Sequence, residues 1–173
     1  MVIRKEKGQV NKFKIWQLII IVMIAIPLIA SYTHYRSIKI DNDYEYKFIA
    51  SLSATIAEKS SFNLQEVTPF DWDKMLMIPP YTSKTEIQKI VGQEWTIYNT
   101  YLGYLFEKTI FGEHPLDDDI FHKLIFIKDD EIIVDVTLMR TTADFTQLQG
   151  EVLPQDDLLK VMEKEYGGFV ISR

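Results

Sequence analysis

The apolar residues of this 173-residue chain form one long run near the N-terminus and shorter periodic stretches after it. The run extends from Ile15 to Thr33, contains no charged residue and consists mostly of Ile, Leu, Val, Met and Ala. As an α-helix its 19 residues would be about 28 Å long, which matches the hydrocarbon core of a bilayer. Because a helix satisfies its own backbone hydrogen bonds in lipid, the run predicts a transmembrane helix over residues 15–35.

Three later stretches have features of helices. Residues 41–59 carry apolar side chains three and four positions apart, which is typical of an amphipathic helix. Ser83 and Glu86 have the spacing of a capping box at a helix N-terminus, and Gly92 is suited to end that helix. Residues 154–166 are predicted to form a last helix, with acidic residues at its positive N-terminal end.

Alternating apolar side chains and flanking turn residues predict strands at residues 62–67, 72–78, 121–128, 132–139 and 169–171. The first two are expected to be joined by a turn at Pro69, and the next two to form an antiparallel hairpin. Residues 95–105 fit either a strand followed by a loop or a distorted helix. We therefore expect an α+β protein. One N-terminal transmembrane helix is followed by an antiparallel sheet of about four or five strands with two or three helices packed on one face.

The charges predict the orientation of the chain in the membrane. Residues 1–14 carry five basic side chains and one acidic side chain, and such a flank is retained on the cytoplasmic side. Since the whole chain carries −6 and residues 1–14 carry +4, the remainder carries −10. An acidic domain repels nucleic acid and anionic headgroups, so its charge favours a basic partner or simply serves solubility. Residues 1–14 are thus predicted to be a cytoplasmic tail, and residues 36–173 a single extracytoplasmic domain on the cell membrane.

A cleaved signal peptide is the alternative to a retained anchor, with Ala30 at the cleavage site. The length of the run and the bulky Pro27 and Leu28 ahead of Ala30 favour the anchor. Aromatic residues at the two ends of the run, among them Trp16 and Tyr32, also favour it, because such side chains anchor helices at membrane interfaces.

The densest cluster of aromatic, acidic and turn residues lies in segments 69–74 and 80–83, followed by Gly92. The order of an F-x-W-D-K phrase, a P-Y-T-S turn and a helix ending in Gly resembles a set of uncharacterised bacterial membrane-anchored or lipoprotein-like proteins. The resemblance covers residues 62–95 and implies an extracytoplasmic domain without a known activity. The chain has no cysteine, so it lacks the lipid attachment site of the lipoprotein members.

Two groups of residues have types that can support chemistry. Asp71 and Asp73 would share one face of a strand, as an acid/base pair or a cation site. Alternatively, Asp71 caps the turn and Asp73 pairs with a surface base, while Trp72 fills the core. His114 and the acidic residues 117–119 precede His122, but they have neither the spacing of a zinc motif nor that of a calcium loop. No nucleophile elbow and no phosphate-binding glycine motif is present, so we expect no metal and no cofactor.

Two functions remain. The first is a binding module that engages a protein or peptide at the cell envelope, for instance as an accessory or immunity-type factor. Its candidate contact residues are Asp71, Trp72, Asp73, Tyr81, Trp95, Tyr98 and Tyr101. The second is an envelope hydrolase that uses Asp71 and Asp73, or His114 and His122. The binding module is favoured, because no local motif supports the hydrolase.

Overall fold

The computed structural model describes residues 6–109, 112, 116–148, 150–165 and 167–173, with the backbone alone for residues 6–12. The chain divides into two compact units, residues 1–38 and residues 39–173. The second unit combines helices with two antiparallel sheets, which confirms the predicted α+β class.

The first unit contains one long helix, α1 (Glu6–Ile38). Its segment Phe13–Ile38 is long and apolar enough to cross a membrane. The helix continues through Pro27, and most of its large apolar side chains are exposed. The predicted apolar helix at residues 15–35 is therefore present.

The remaining elements belong to the second unit. The helices are α2 (Glu45–Glu58), α3 (Leu64–Val67), α4 (Lys84–Val91) and α5 (Tyr101–Glu107), with a 3₁₀ turn at Pro154–Asp156. The strands are β1 (Ser61–Asn63), β2 (Lys74–Ile78), β3 (Phe121–Lys128), β4 (Glu131–Met139), β5 (Glu151–Val152), β6 (Leu158–Glu163) and β7 (Phe169–Ser172).

The larger sheet has the order β4-β3-β2-β5, and its neighbouring strands are antiparallel. The predicted hairpin of β3 and β4 is confirmed. It turns at Asp129 and Asp130, whose φ angles of 49° and 62° are those that a two-residue hairpin turn requires. Strand β3 lies inside the sheet, whereas β4 forms one edge.

Both faces of this sheet are covered. Phe126 of β3 lies in the larger core with Phe48 of α2, and their ring centroids are 5.2 Å apart in an edge-to-face arrangement. Ile125 of the same strand points the other way and packs in a smaller core with Ile87 of α4. The helices are thus divided between the two faces instead of being packed on one.

The second sheet has the order β1-β6-β7 and completes the larger core. Phe62 and Leu159 are register partners in β1 and β6, and both are buried there with Ile171 of β7. The predicted strand at residues 169–171 is confirmed at the edge of this sheet.

The prediction that residues 62–67 and 72–78 form two strands joined by a turn is wrong in its first half. Strand β1 ends at Asn63, and the chain then forms the one-turn helix α3. Distant contacts stabilise this helix, since the Leu64 and Gln65 N–H groups donate to the backbone and side-chain oxygens of Asp157 at 3.0 and 2.8 Å. As a result, β1 and β2 belong to different sheets.

The predicted helix at residues 154–166 is also wrong, because β6 occupies residues 158–163 after the 3₁₀ turn, and Tyr166 lies outside the described residues. The physical reason is pairing with β1 and β7, which overrides local helix propensity. The open question at residues 95–105 is also answered. The chain is irregular up to Thr100, whose side chain accepts a hydrogen bond from the Gly103 N–H and caps α5.

Candidate functional site

A buried ion pair lies on the α4 side of the larger sheet. Lys123 on β3 and Asp135 on β4 share this face in diagonal register. The Lys123 ammonium donates to both Asp135 carboxylate oxygens at 2.8 and 2.7 Å. Their side chains are only 9% and 3% exposed, so each charge depends on the other for compensation.

Asp135 has further partners on two other segments. The Trp95 indole N–H donates to its carboxylate at 2.9 Å. The Asn42 side chain bonds both the N–H and the C=O of Asp135, at 2.8 and 2.7 Å. The Thr137 N–H donates to Glu45 at 3.1 Å. Side chains of the segment before α2 and of its first residue therefore take the place of a neighbouring strand along this edge of β4.

Burial also affects Glu45. It raises the pKa of this carboxyl above its ordinary value, while the hydrogen bond from the Thr137 N–H acts in the opposite direction.

A second ion pair joins the two helices on this side. Lys84 is the first residue of α4, and its ammonium donates to Glu107, the last residue of α5. The start of α4 is fixed by the predicted capping box, in which the Ser83 and Glu86 side chains bond each other's backbone N–H. Glu107 also accepts a hydrogen bond from the Thr96 hydroxyl at 3.1 Å.

The two ion pairs line a cavity of about 310 Å³ that also contains aromatic and aliphatic walls. We name this cavity the paired-charge pocket, and its defining residues are Lys84, Trp95, Tyr98, Glu107, Lys123 and Asp135. The Tyr98 ring lies directly against the backbone of α5, since a Cβ on Gly103 would be 2.8 Å from Tyr98 Cδ1. The described lining of this concave site thus includes two cations, two anions and two aromatic side chains, a mixture typical of ligand-binding sites.

Of the predicted aromatic contact residues, Trp95 and Tyr98 lie in this pocket. Tyr101 is half-buried on α5, and its ring stacks on Tyr104 at 6.1 Å. Tyr81 lies apart from the pocket lining and is 68% exposed, with a φ of 62°. The structure thus brings two of these aromatics together.

Asp71 and Trp72 line a second cavity of about 310 Å³, which does not include Asp73 among its described lining residues. Trp72 is 5% exposed, its ring packs against Phe126, and its indole N–H donates to the Thr68 hydroxyl at 3.0 Å. It therefore belongs mainly to the core. Asp71 accepts from Lys128 at 3.1 Å, and Asp73 from the Asp129 N–H at 2.7 Å. The two exposed carboxylates fasten the β3–β4 turn.

His122 is fully buried on the opposite face of β3, beside Phe145. Neither ring nitrogen has a hydrogen-bond partner among the described residues. Asp71 bonds the far end of the same strand, about 20 Å away at 3.4 Å per residue. Asp71 and His122 therefore cannot act on one substrate, while His114 lies outside the described residues.

A charged cluster near His122 has a structural role. Asp144 accepts hydrogen bonds from Lys164 at 2.8 Å, from the Thr146 hydroxyl at 2.6 Å and from Arg140 at 3.0 Å. Burial alone would raise the pKa of Asp144, but these hydrogen bonds outweigh it and hold that pKa well below its ordinary value. The Asp144 backbone also bonds Phe169 and Ile171, so the cluster holds β7 in place.

Sequence reasoning missed Lys84, Glu107, Lys123 and Asp135. A usable signal existed for the last two, because each is a charged residue within a strand that is apolar on both faces, and buried charges require partners. Lys84 and Glu107 lie 23 positions apart and have no local signal of pairing. In the part of the chain that the structure describes, no group of three His, Asp or Glu side chains could hold a metal ion.

Comparison with protein-family models, with curated proteins and with solved structures finds no match for this chain.

The first prediction concerns the buried ion pair. Lys123→Met leaves the Asp135 carboxylate buried without its cation, and we expect a loss of about 3 to 5 kcal/mol in the free energy of unfolding. The double variant Lys123→Met/Asp135→Leu should lose less. Lys59→Met, which breaks an exposed pair with Glu66, is the matched control and should cost at most about 1 kcal/mol. Urea denaturation of the full chain in detergent measures all three. Equal losses for Lys123→Met and Lys59→Met would contradict the assignment.

The second prediction concerns pH. Burial lowers the pKa of His122 from 6.5 to about 4, so the unfolded chain binds a proton at a higher pH than the folded one. Stability should therefore fall as the pH drops from about 6.5 towards 4, by about 2.5 kcal/mol at pH 4.5 from this residue alone. Denaturation of the wild type and of His122→Leu at pH 7.5 and 4.5 isolates the effect. An equal drop in both proteins would show that His122 is not responsible.

Proposed function

We propose that this chain is a single-pass membrane protein whose acidic domain lies outside the cell and binds a protein or peptide partner at the envelope. The observation that carries the binding role is the paired-charge pocket, which combines aromatic walls with buried charges. An accessory or immunity-type factor is the class of protein that fits a small anchored domain of this kind. The resemblance of residues 62–95 to bacterial extracytoplasmic proteins is in keeping with it.

The location rests on α1 and its flank. Segment Phe13–Ile38 has the length and composition of a membrane span, and the basic residues 4–14 favour a cytoplasmic N-terminus. With this orientation residues 39–173 lie on the outer side, where their net negative charge supports solubility and attracts basic partners.

Binding is favoured over catalysis because the charged groups of the pocket are engaged with one another. Glu107 and Asp135 each accept a hydrogen bond from a lysine. A general base needs access to a substrate proton, whereas these carboxylates are shared with ammonium groups. Such pairs confer specificity on a binding site, since a ligand must match the arrangement of their charges.

Tyr81 supplies a second candidate contact. It keeps a left-handed backbone conformation that costs a non-glycine residue roughly 1 to 2 kcal/mol, and its N–H donates to the Leu116 C=O at 2.8 Å. Strain of this kind is found at functional positions. The exposed ring also lies in the chain just before Lys84, at the start of α4.

The topology is testable by labelling, because the chain contains no cysteine. We expect Gln155→Cys, at an exposed position of the second unit, to react with a membrane-impermeant maleimide in intact cells. Asn11→Cys should react only after lysis. Labelling of Asn11→Cys in intact cells, or protection of Gln155→Cys, would contradict the proposed orientation.

Binding is testable by site-specific crosslinking in intact cells that carry the full-length chain. A photoreactive benzoylphenylalanine at Tyr98 or Tyr81 should give one discrete adduct. At Tyr46, which is 82% exposed on α2, it should not. The adduct at Tyr98 should weaken in the Glu107→Gln background, because this change removes the ion pair of the pocket.

Two results would contradict the proposal. The first is the absence of any adduct at Tyr98. The second is an adduct pattern shared with Tyr46, which would indicate random collision instead of a binding site.

A further inference from the structure

We propose that the paired-charge pocket binds a small zwitterion of the free dipeptide class, with its carboxylate on Lys123 and Lys84 and its ammonium on Glu107. This inference rests on the proposed function, in which the same pocket is the binding site. It adds the chemical class of the ligand.

Each lysine of the pocket has more N–H donors than its ion pair uses. A lysine ammonium has three donors. Lys123 uses two of them on Asp135, so one N–H is not used by the described residues. Lys84 uses one on Glu107, and its side chain is 42% exposed. Up to three donors therefore remain for a ligand, and one comes from a lysine that is buried beside the cavity.

The two carboxylates of the pocket differ in how many of their acceptor sites are occupied. An ionised carboxylate offers about four acceptor sites. Asp135 accepts two bonds from Lys123 and one from Trp95, which leaves little capacity. Glu107 accepts one bond from Lys84 and one from Thr96, so each of its oxygens has a lone pair that the described residues do not use. Among the pocket carboxylates, Glu107 is thus the better acceptor for a ligand ammonium.

The charges that line the pocket also limit the kind of ligand. Among the described residues, the pocket lining contains two lysines and two carboxylates, so these four charges sum to zero. A lone carboxylate would add an uncompensated charge inside a domain whose acidic surroundings oppose it. A lone ammonium would leave the remaining donors of Lys123 and Lys84 unused. A ligand that contains both a carboxylate and an ammonium can bond the lysine donors and the Glu107 acceptor, and it adds no net charge to the site.

The size and shape of the cavity limit the length of the ligand. The cavity of about 310 Å³ is at the lower end of the range for ligand pockets, which suits a dipeptide better than a long peptide. Trp95 is held in place by its bond to Asp135, and Tyr98 by contact with Gly103. These rings form a fixed apolar wall for the side chain of the ligand, and a fixed wall reduces the entropy cost of binding.

The test uses the full-length chain in phosphatidylcholine nanodiscs, labelled with 5-fluorotryptophan. The three tryptophans give three fluorine signals, and Trp95→Phe assigns the one in the pocket. The probes are the dipeptide Ala-Phe, its N-acetyl form, its C-terminal amide and the form capped at both ends. Free phenylalanine is the smaller zwitterion.

We expect Ala-Phe to shift the Trp95 signal in a saturable manner while the other two tryptophan signals stay unchanged. Each singly capped form should bind about tenfold more weakly, because one charge-assisted hydrogen bond is lost. Lys84→Ala should weaken Ala-Phe binding about tenfold as well, whereas the matched variant Lys89→Ala on the same helix should not. A comparable affinity for free phenylalanine would support a zwitterionic ligand and would identify it as a free amino acid.

Several outcomes would overturn the inference. If the C-terminal amide binds as tightly as Ala-Phe, the pocket is a site for a lone ammonium. If the N-acetyl form binds as tightly as Ala-Phe, the pocket is a site for a lone carboxylate. Absence of any shift with the two zwitterions would show that this class does not bind. The crosslinking at Tyr98 separates the two proposals. If a discrete adduct forms and Ala-Phe does not compete with it, the proposed binding function stands and the proposal of a zwitterionic ligand is refuted.

Discussion

The buried carboxylate of Asp135 connects the segments that form the α4 side of this domain. A charge in a protein interior must be compensated by a cation and by hydrogen-bond donors. Here Lys123 supplies the cation and the Trp95 indole supplies a further donor. Because these partners come from β3 and from the segment before α5, compensating one charge fixes two parts of the chain around a common cavity. The pocket is a consequence of that requirement.

The same residue explains how the larger sheet ends. Strand β4 is an edge strand, and an open edge invites pairing with other chains. The side chain of Asn42 bonds the Asp135 backbone as a neighbouring strand would, and Glu45 does the same for Thr137. The Ile40 N–H also donates to Thr96, at 3.1 Å. The first residues of the second unit are therefore tied to the wall of the pocket, so a ligand there would contact a part of the chain that is firmly held.

The two faces of the larger sheet use charge differently. On the α2 side the His122 ring is fully buried beside Phe145, and burial lowers its pKa to about 4. Asp144 accepts several hydrogen bonds there, and its backbone bonds β7. On the α4 side the ion pairs border a cavity and have donors and acceptors that the described residues do not use. His122, one of the two histidines considered for catalysis, is thus part of the core, whereas the cavity on the other face is lined by lysines and carboxylates.

Features with a local cause could be predicted from the order of the residues alone. The apolar run gives α1, the capping box and Gly92 give α4, and alternation with a two-residue turn gives the β3–β4 hairpin. The aromatic clusters also make Trp95 and Tyr98 candidate contacts, and both line the pocket. Residues 158–163 form a strand because of long-range pairing with β1 and β7, which outweighs helix propensity. The tertiary structure alone brought Lys84 to Glu107 and Lys123 to Asp135, because charge compensation depends on which residues meet in space, and spacing along the chain does not encode that.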